Sequence, residues 1–196
     1  MELIIHRINK IVELKKIPRN FGCEIDLRTD GSNIILNHEP FKKGDFLIDY
    51  LDEYNNGTLV LNIKESGIED LVISELKKRD INDYFLLDLE FPYIYSAVRK
   101  NIRNIAIRFS EDEPIQMFEK YIELVDWVWI DTNTILPIDN SNISILNKTK
   151  SCLVCPERWG RSEDILKYRI KLNNLGFTPT AVMTSLDNIN NWQKNI

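Results

Sequence analysis

The feature that most constrains this chain is a repeated alternation. A short run rich in Ile, Val and Leu is followed by a polar turn and then by a stretch with apolar residues at three- and four-residue spacing. The apolar runs fall at residues 3–7, 22–28, 58–64, 84–89, 104–109, 126–131, 151–155 and 180–184, and helical spacing predicts helices at 10–16, 44–53, 68–78, 93–101, 113–124, 162–174 and 186–194. The connection at 136–148 carries little helical pattern. About eight strands is the number that closes a parallel barrel, so the pattern predicts an α/β protein, a compact (β/α)8 TIM barrel. A further apolar run at 33–37 follows Thr29-Asp30-Gly31-Ser32, a D-G turn that predicts a side hairpin after strand two. The competing architecture, an open doubly wound sheet, wants glycines after its first strand; here His6-Arg7-Ile8-Asn9 stands there, and the chain has only seven glycines.

A chain of 196 residues fits a single hydrophobic core, and no linker, repeat or low-complexity tract divides it, so one domain spanning 1–196 is expected. The apolar runs stop well short of a membrane span. The opening Met-Glu-Leu-Ile-Ile-His-Arg turns polar too soon for a secretory signal, which predicts a cytoplasmic protein. Net charge of -5 argues against nucleic acid or an anionic membrane as the main partner, and leaves room for a local phosphate pocket. Three cysteines, an odd number set in apolar runs, suit a reducing compartment. Cys152 and Cys155 have C-x-x-C spacing without a second pair, so buried structural thiols are the expectation. Trp127 and Trp129 share one face of a strand and read as core, with stacking on a ligand as the alternative.

In parallel barrels the C-terminal strand ends face the active site, so the polar residues that close apolar runs are the candidates. These are His6 and Arg7; Glu24, Asp26 and Arg28; His38 after the side hairpin; Asn62 and Lys64; Asp88 and Glu90; Arg108; and Asp131. Arg158 and Arg161, flanking Trp159 after the seventh run, are candidates for gripping a substrate phosphate, as is Arg108; solvated surface arginines are the alternative. Glu24 and Asp26 are two apart, so both carboxylates point to one face of their strand. Held together they repel, unless a hard divalent ion such as Mg²⁺ or Ca²⁺ or a network with Arg28, Lys64 or Arg108 lies between them. Both histidines of the chain fall at strand ends, where imidazole can exchange protons near neutral pH.

His6-Arg7 and the segment Glu24-Ile-Asp26-Leu-Arg-Thr-Asp30-Gly31-Ser-Asn-Ile-Ile-Leu-Asn-His38-Glu39 resemble the glycerophosphodiester phosphodiesterase family, within the phospholipase C-like barrel phosphodiesterases. The resemblance implies a hydrolase of lipid metabolism acting on a small phosphodiester. In it His6 and His38 would form the acid-base pair, Arg7 and Lys64 would meet the phosphate, and Glu24 and Asp26 would hold the divalent cation. Asn62 stands where the family has its third metal ligand, a glutamate. Ile8 replaces the glycine after His-Arg, and the family's Pro-Glu-Asn segment is missing. Only 19 residues lie between His38 and Thr58, too few for the subdomain with which many members grip glycerol headgroups. Two alternatives remain: a barrel that binds a phosphorylated ligand without cleaving it, and a lyase that forms a cyclic phosphate.

Overall fold

A computed structural model describes residues 1–193, and each of the predicted parallel runs forms a strand. The residues group into two compact units, Ile4–Ala97 and Met1–Leu3 with Val98–Ile196.

In the first unit, Ile4 and Ile5 of β1 (Glu2–Ile5) pair in parallel with Gly22 and Cys23 of β2 (Gly22–Asp30). On its other side β2 pairs in parallel with β5 (Leu59–Ile63), which pairs in turn with β6 (Tyr84–Leu87). A strand with parallel neighbours on both sides is covered on both faces. Cys23, Ile25 and Leu27 accordingly point one way and Glu24 and Asp26 the other, all of them buried. The D-G turn closes the expected hairpin: Gly31 has a φ of 63° and β3 (Asn33–Leu36) runs antiparallel to β2, with Asp30 opposite Asn33.

The helix predicted from residue 44 begins instead with a two-residue strand, β4 (Asp45–Phe46), extended by pairing with Ile35 and Leu36; α2 (Leu47–Glu53) follows. The Asp45 carboxylate accepts the Ile11 N–H at 2.7 Å, satisfying the first donor of the short helix α1 (Ile11–Leu14). In α3 (Glu69–Lys78) Val72, Ile73 and Leu76 face the core, with acids in the first turn and Lys77 and Lys78 in the last, as the helix dipole favours.

Two predicted strands end early for one reason. Arg7 and Asp88 have φ of 54° and 61°, a left-handed conformation that breaks the extended path, so β1 stops at Ile5 and β6 at Leu87.

In the second unit β7 (Ala106–Phe109), β8 (Trp127–Ile130), β9 (Lys150–Val154) and β10 (Ala181–Thr184) pair in parallel in that order, and the Glu2 N–H donates to the Thr180 carbonyl. Trp127 and Trp129 are core, and all three cysteines are buried thiols outside any disulfide. Burial pushes the Cys155 thiol far above its ordinary range. Helix α4 (Phe91–Arg99) follows β6. Helix α5 (Ile115–Glu119) is shorter than its pattern predicts because residues 120–124 continue as i to i+3 turns, and α6 (Ile143–Leu146) is a single turn in the weakly patterned connection. Helix α7 (Asp164–Asn174) ends as predicted at Gly176, whose N–H bonds the Asn173 carbonyl while Phe177 N–H bonds that of Leu172. The last helix, α8 (Ile189–Gln193), covers part of the predicted 186–194 stretch, of which Lys194 lies outside the described residues. No helix among the described residues is long and apolar enough to cross a membrane.

Candidate active site

The site begins with the two inward carboxylates of β2. Asp26 lies beside Asn62 in the parallel ladder, and the Asn62 side-chain amide donates to Glu24 Oε1 at 3.0 Å. Glu24 is 1% exposed and Asp26 fully buried. Burial, and then the neighbouring Asp26 charge, raise the Glu24 carboxyl from 4.5 to about 7 against the opposing pull of Asn62, the Arg7 N–H and Lys64.

The turn after β1 folds back onto these acids. The left-handed Arg7 aims its N–H at Glu24 Oε2 at 2.8 Å, and the Ile8 N–H reaches the Glu24 carbonyl at 2.9 Å. Ile8 therefore needs no glycine-like backbone, since the positive φ falls on Arg7. His6 Nε2 lies 3.9 Å from Glu24 Oε2, and Arg7 Nε 3.9 Å from Asp26 Oδ2. Asn9 grips Asp26 twice: its amide donates to Asp26 Oδ2 at 2.9 Å, and its Oδ1 accepts the Asp26 N–H at 2.8 Å. Sequence reasoning passed over Asn9, although a polar residue just beyond an apolar run was the available signal.

Lys64, following β5, places its ammonium 3.6 Å from Asp26 Oδ1 and 3.2 Å from Asp88 Oδ2. His38 follows the side hairpin, with Nδ1 2.7 Å from Glu39 Oε1; the hydrogen bond from the imidazole holds the Glu39 carboxyl below its ordinary value. Arg28 connects these two groups. Its Nε donates to the His38 carbonyl at 3.1 Å and its Nη1 to the Lys64 carbonyl at 3.2 Å. The sequence marks Arg28 as a strand-end candidate and a charge partner for the acids; its bonds go to carbonyls instead. His38 and Asn9 line one cleft of about 420 Å³. His6, Arg7, Glu24, Asp26, Asn62 and Lys64 thus lie in one contact network, and Arg28 and Asn9 connect it to His38.

Of the remaining predicted residues, Glu90 is exposed in the first unit, where its carbonyl accepts the Ile94 N–H, and the others belong to the second unit. Arg108 pairs with Asp131, whose carboxyl burial raises against the pull of Arg108 and Arg158. Arg158 stacks over Trp159 at 5.5 Å. Arg161 spends its donors within the unit, on Asp164 at 2.9 Å, the Tyr168 hydroxyl at 2.8 Å and the Thr132 and Asn133 carbonyls.

The donor set has a bearing on a metal. Asp26 Oδ1 and Asn62 Oδ1 are buried oxygens without a hydrogen-bond partner among the described residues, on side-by-side positions next to the crowded Glu24. Buried oxygens without hydrogen bonds are costly and hard divalent cations seek them; Asp26 Oδ1 has only the Lys64 ammonium at 3.6 Å, so these residues fit Mg²⁺ or Ca²⁺. Among the described residues no group of three or more His, Cys, Asp and Glu is set to hold an ion, so the set amounts to two acids and an amide.

No family model and no curated protein matches the chain. Solved structures do. A putative glycerophosphoryl diester phosphodiesterase from Agrobacterium tumefaciens matches over 93% of both chains at 13% identity and a TM-score of 0.60. A phosphodiesterase from Oleispira antarctica, solved with its product sn-glycerol-3-phosphate, matches over 93% of this chain and 92% of its own at 15% identity and a TM-score of 0.62. A glycerophosphoryl diester phosphodiesterase from Parabacteroides distasonis matches over 93% and 81%, at 10% identity and a TM-score of 0.64. The predicted (β/α)8 class is met at the level of fold, and the chain has the fold of the glycerophosphodiester phosphodiesterases.

Proposed function

We propose that the chain hydrolyses a small phosphodiester of glycerol, a sugar or a polyol. The observation that carries this reading is the pair of buried carboxylates, with Asp26 Oδ1 and Asn62 Oδ1 lacking hydrogen bonds among the described residues, enclosed by His6, Arg7 and Lys64. Anions concentrated this way need a cation, and the flanking Arg7 and Lys64 suit a phosphate. The fold shared with the Oleispira enzyme and its glycerol phosphate product supports this substrate class.

In this mechanism Arg7 and Lys64 bind the nonbridging phosphate oxygens and offset the charge that grows as phosphorus is attacked. One histidine accepts a proton from the attacking water, and the other delivers a proton to the leaving alkoxide as its P–O bond breaks. His6 Nε2 lies 3.9 Å from Glu24 Oε2 and His38 Nδ1 2.7 Å from Glu39 Oε1, contacts that orient the two rings. Mg²⁺ or Ca²⁺ on Glu24, Asp26 and Asn62 would add Lewis-acid stabilisation of the phosphoryl oxygens. Three buried thiols outside any disulfide suit a cytoplasmic enzyme.

The test is turnover of bis(4-nitrophenyl) phosphate and a panel of glycerophosphodiesters with Mg²⁺, Ca²⁺ or Mn²⁺. His6→Ala and His38→Ala should each lower kcat by about 10²-fold or more with the fold intact by circular dichroism. Full activity in either variant would sink the acid-base assignment. A second reading, ligand binding without cleavage, draws on Asn62 in place of an acid and on the Lys64 ammonium lying against Asp26 and Asp88. Saturable binding of glycerol 3-phosphate with no turnover on the panel would select it.

A further inference from the structure

The loop between β3 and β4 carries a feature that the proposed chemistry does not use. Phe41 is fully exposed, at 104% relative accessibility, and has a φ of 60°. A bulky residue rarely adopts that conformation, and an aromatic ring held wholly in water forgoes the burial it would gain elsewhere. The loop is nonetheless closely tied. Asn37 closes it from inside, accepting the Glu39 N–H at 2.9 Å and donating to the Lys43 carbonyl at 2.8 Å. At its start the His38 carbonyl is held by Arg28, and at its end Gly44 lies so close to Leu36 that a Cβ there would sit 2.1 Å from the Leu36 carbonyl oxygen. Phe41 is therefore presented on a braced support.

Its neighbours Lys42 and Lys43 are exposed; of the acids nearby, Glu39 is engaged by His38 and Glu65 by the Thr29 N–H and hydroxyl, which leaves Asp30, lining the same cleft, as one negative charge against the two lysines. An aromatic ring flanked by lysines matches the chemistry of a phospholipid surface: the ring enters the boundary below the headgroups and the ammonium groups stay at the level of the phosphates. Net charge of -5 over the whole chain argues against tight or extensive binding to an anionic membrane, but charges beyond about 8 Å are screened at physiological salt, so the loop's own lysines set the field at a small, weak contact.

We infer that the loop Glu39-Pro40-Phe41-Lys42-Lys43 is a docking element for a phospholipid bilayer, placed so that binding brings His38 to the lipid surface. Docking of this size is weak and reversible, and it is strengthened by anionic lipid. The inference does not depend on the hydrolytic reading, because it is read as binding.

The test is co-sedimentation of the full chain with phosphatidylcholine vesicles and with vesicles half phosphatidylglycerol, beside turnover of soluble bis(4-nitrophenyl) phosphate. The wild type should partition onto the phosphatidylglycerol vesicles about tenfold more strongly than onto phosphatidylcholine alone, and 0.5 M salt should erase about that preference. Phe41→Ser and Lys42→Gln should each lower partitioning about fivefold or more while soluble turnover stays unchanged. Absence of wild-type binding, equal binding to both vesicles, or binding unaltered in both variants would overturn the inference. So would a fall in soluble turnover in Phe41→Ser, which would place the ring on the substrate. A dimer in sedimentation velocity that Phe41→Ser abolishes would assign the surface to a second copy and overturn it equally. If no diester is turned over at all, the vesicle measurement still decides.

Discussion

Glu24 holds its proton at a cost that pH exposes. Its carboxyl rises from 4.5 to about 7 because it is buried and faces Asp26, so between those values the folded chain binds a proton that the unfolded chain has released. The contribution is complete below 4.5, declines as pH rises through the interval, and reaches its lowest level above 7. One proton corresponds to about 1.4 kcal/mol per pH unit at most, so the whole effect is a few kcal/mol. We expect urea unfolding of the metal-free protein to show wild-type stability falling relative to Glu24→Gln from pH 5 to pH 8. A difference between the two proteins that stays constant across that range would show that Glu24 ionises at its ordinary value.

At the scale of elements, the strand ends decide what the site contains, and the left-handed residues decide the strand ends. The eight apolar runs and the D-G hairpin were legible because burial on one or both faces writes a period into the sequence. The pairing of Glu24 with Asp26 was legible for the same reason, as two residues on one strand share a face. The role of Asn9 was not, because it depends on Arg7 turning left-handed and carrying the chain back over β2, and no periodicity records a single torsion. Arg28 bonds to the carbonyls of His38 and Lys64, and any residue type supplies a carbonyl, so its partners leave no trace in sequence. The two-residue strand β4 was hidden for a related reason: it exists through pairing with β3 and through the close approach of Gly44 to Leu36. Gly44→Ala tests that approach. Its methyl would meet backbone rather than a movable side chain, so the loop and β4 must shift, at a cost of about 1–3 kcal/mol in urea unfolding. A variant as stable as wild type would show that the packing of β3, β4 and the loop yields without cost.

For the molecule as a whole, the consequence that matters is the linkage between a cation and the stability of the fold. A ligand that binds only the folded chain stabilises it by RT ln(1 + [L]/Kd), about 2.7 kcal/mol at a hundredfold excess over Kd. A protein of this length gains roughly 2–4 °C in Tm for each kcal/mol. Mg²⁺ or Ca²⁺ at that excess should therefore raise Tm by about 5–10 °C, and the gain should grow from pH 5 to pH 8 as Glu24 gives up its proton. Asp26→Asn keeps the size of the side chain and removes a charge from the two-acid set, so its cation-dependent gain should fall to near zero, while its melting without metal falls because the loss of the Lys64 and Arg7 ion pairs outweighs the relief of repulsion at Glu24. Asn62→Glu should also lower metal-free stability, through a third buried acid, but enlarge the gain with cation. Differential scanning calorimetry with EDTA and with each ion reads all of these shifts without reference to turnover. Equal cation gains in wild type and Asp26→Asn would remove the acid pair as the metal site, and would leave Lys64 and Arg7 as the groups that meet the phosphate.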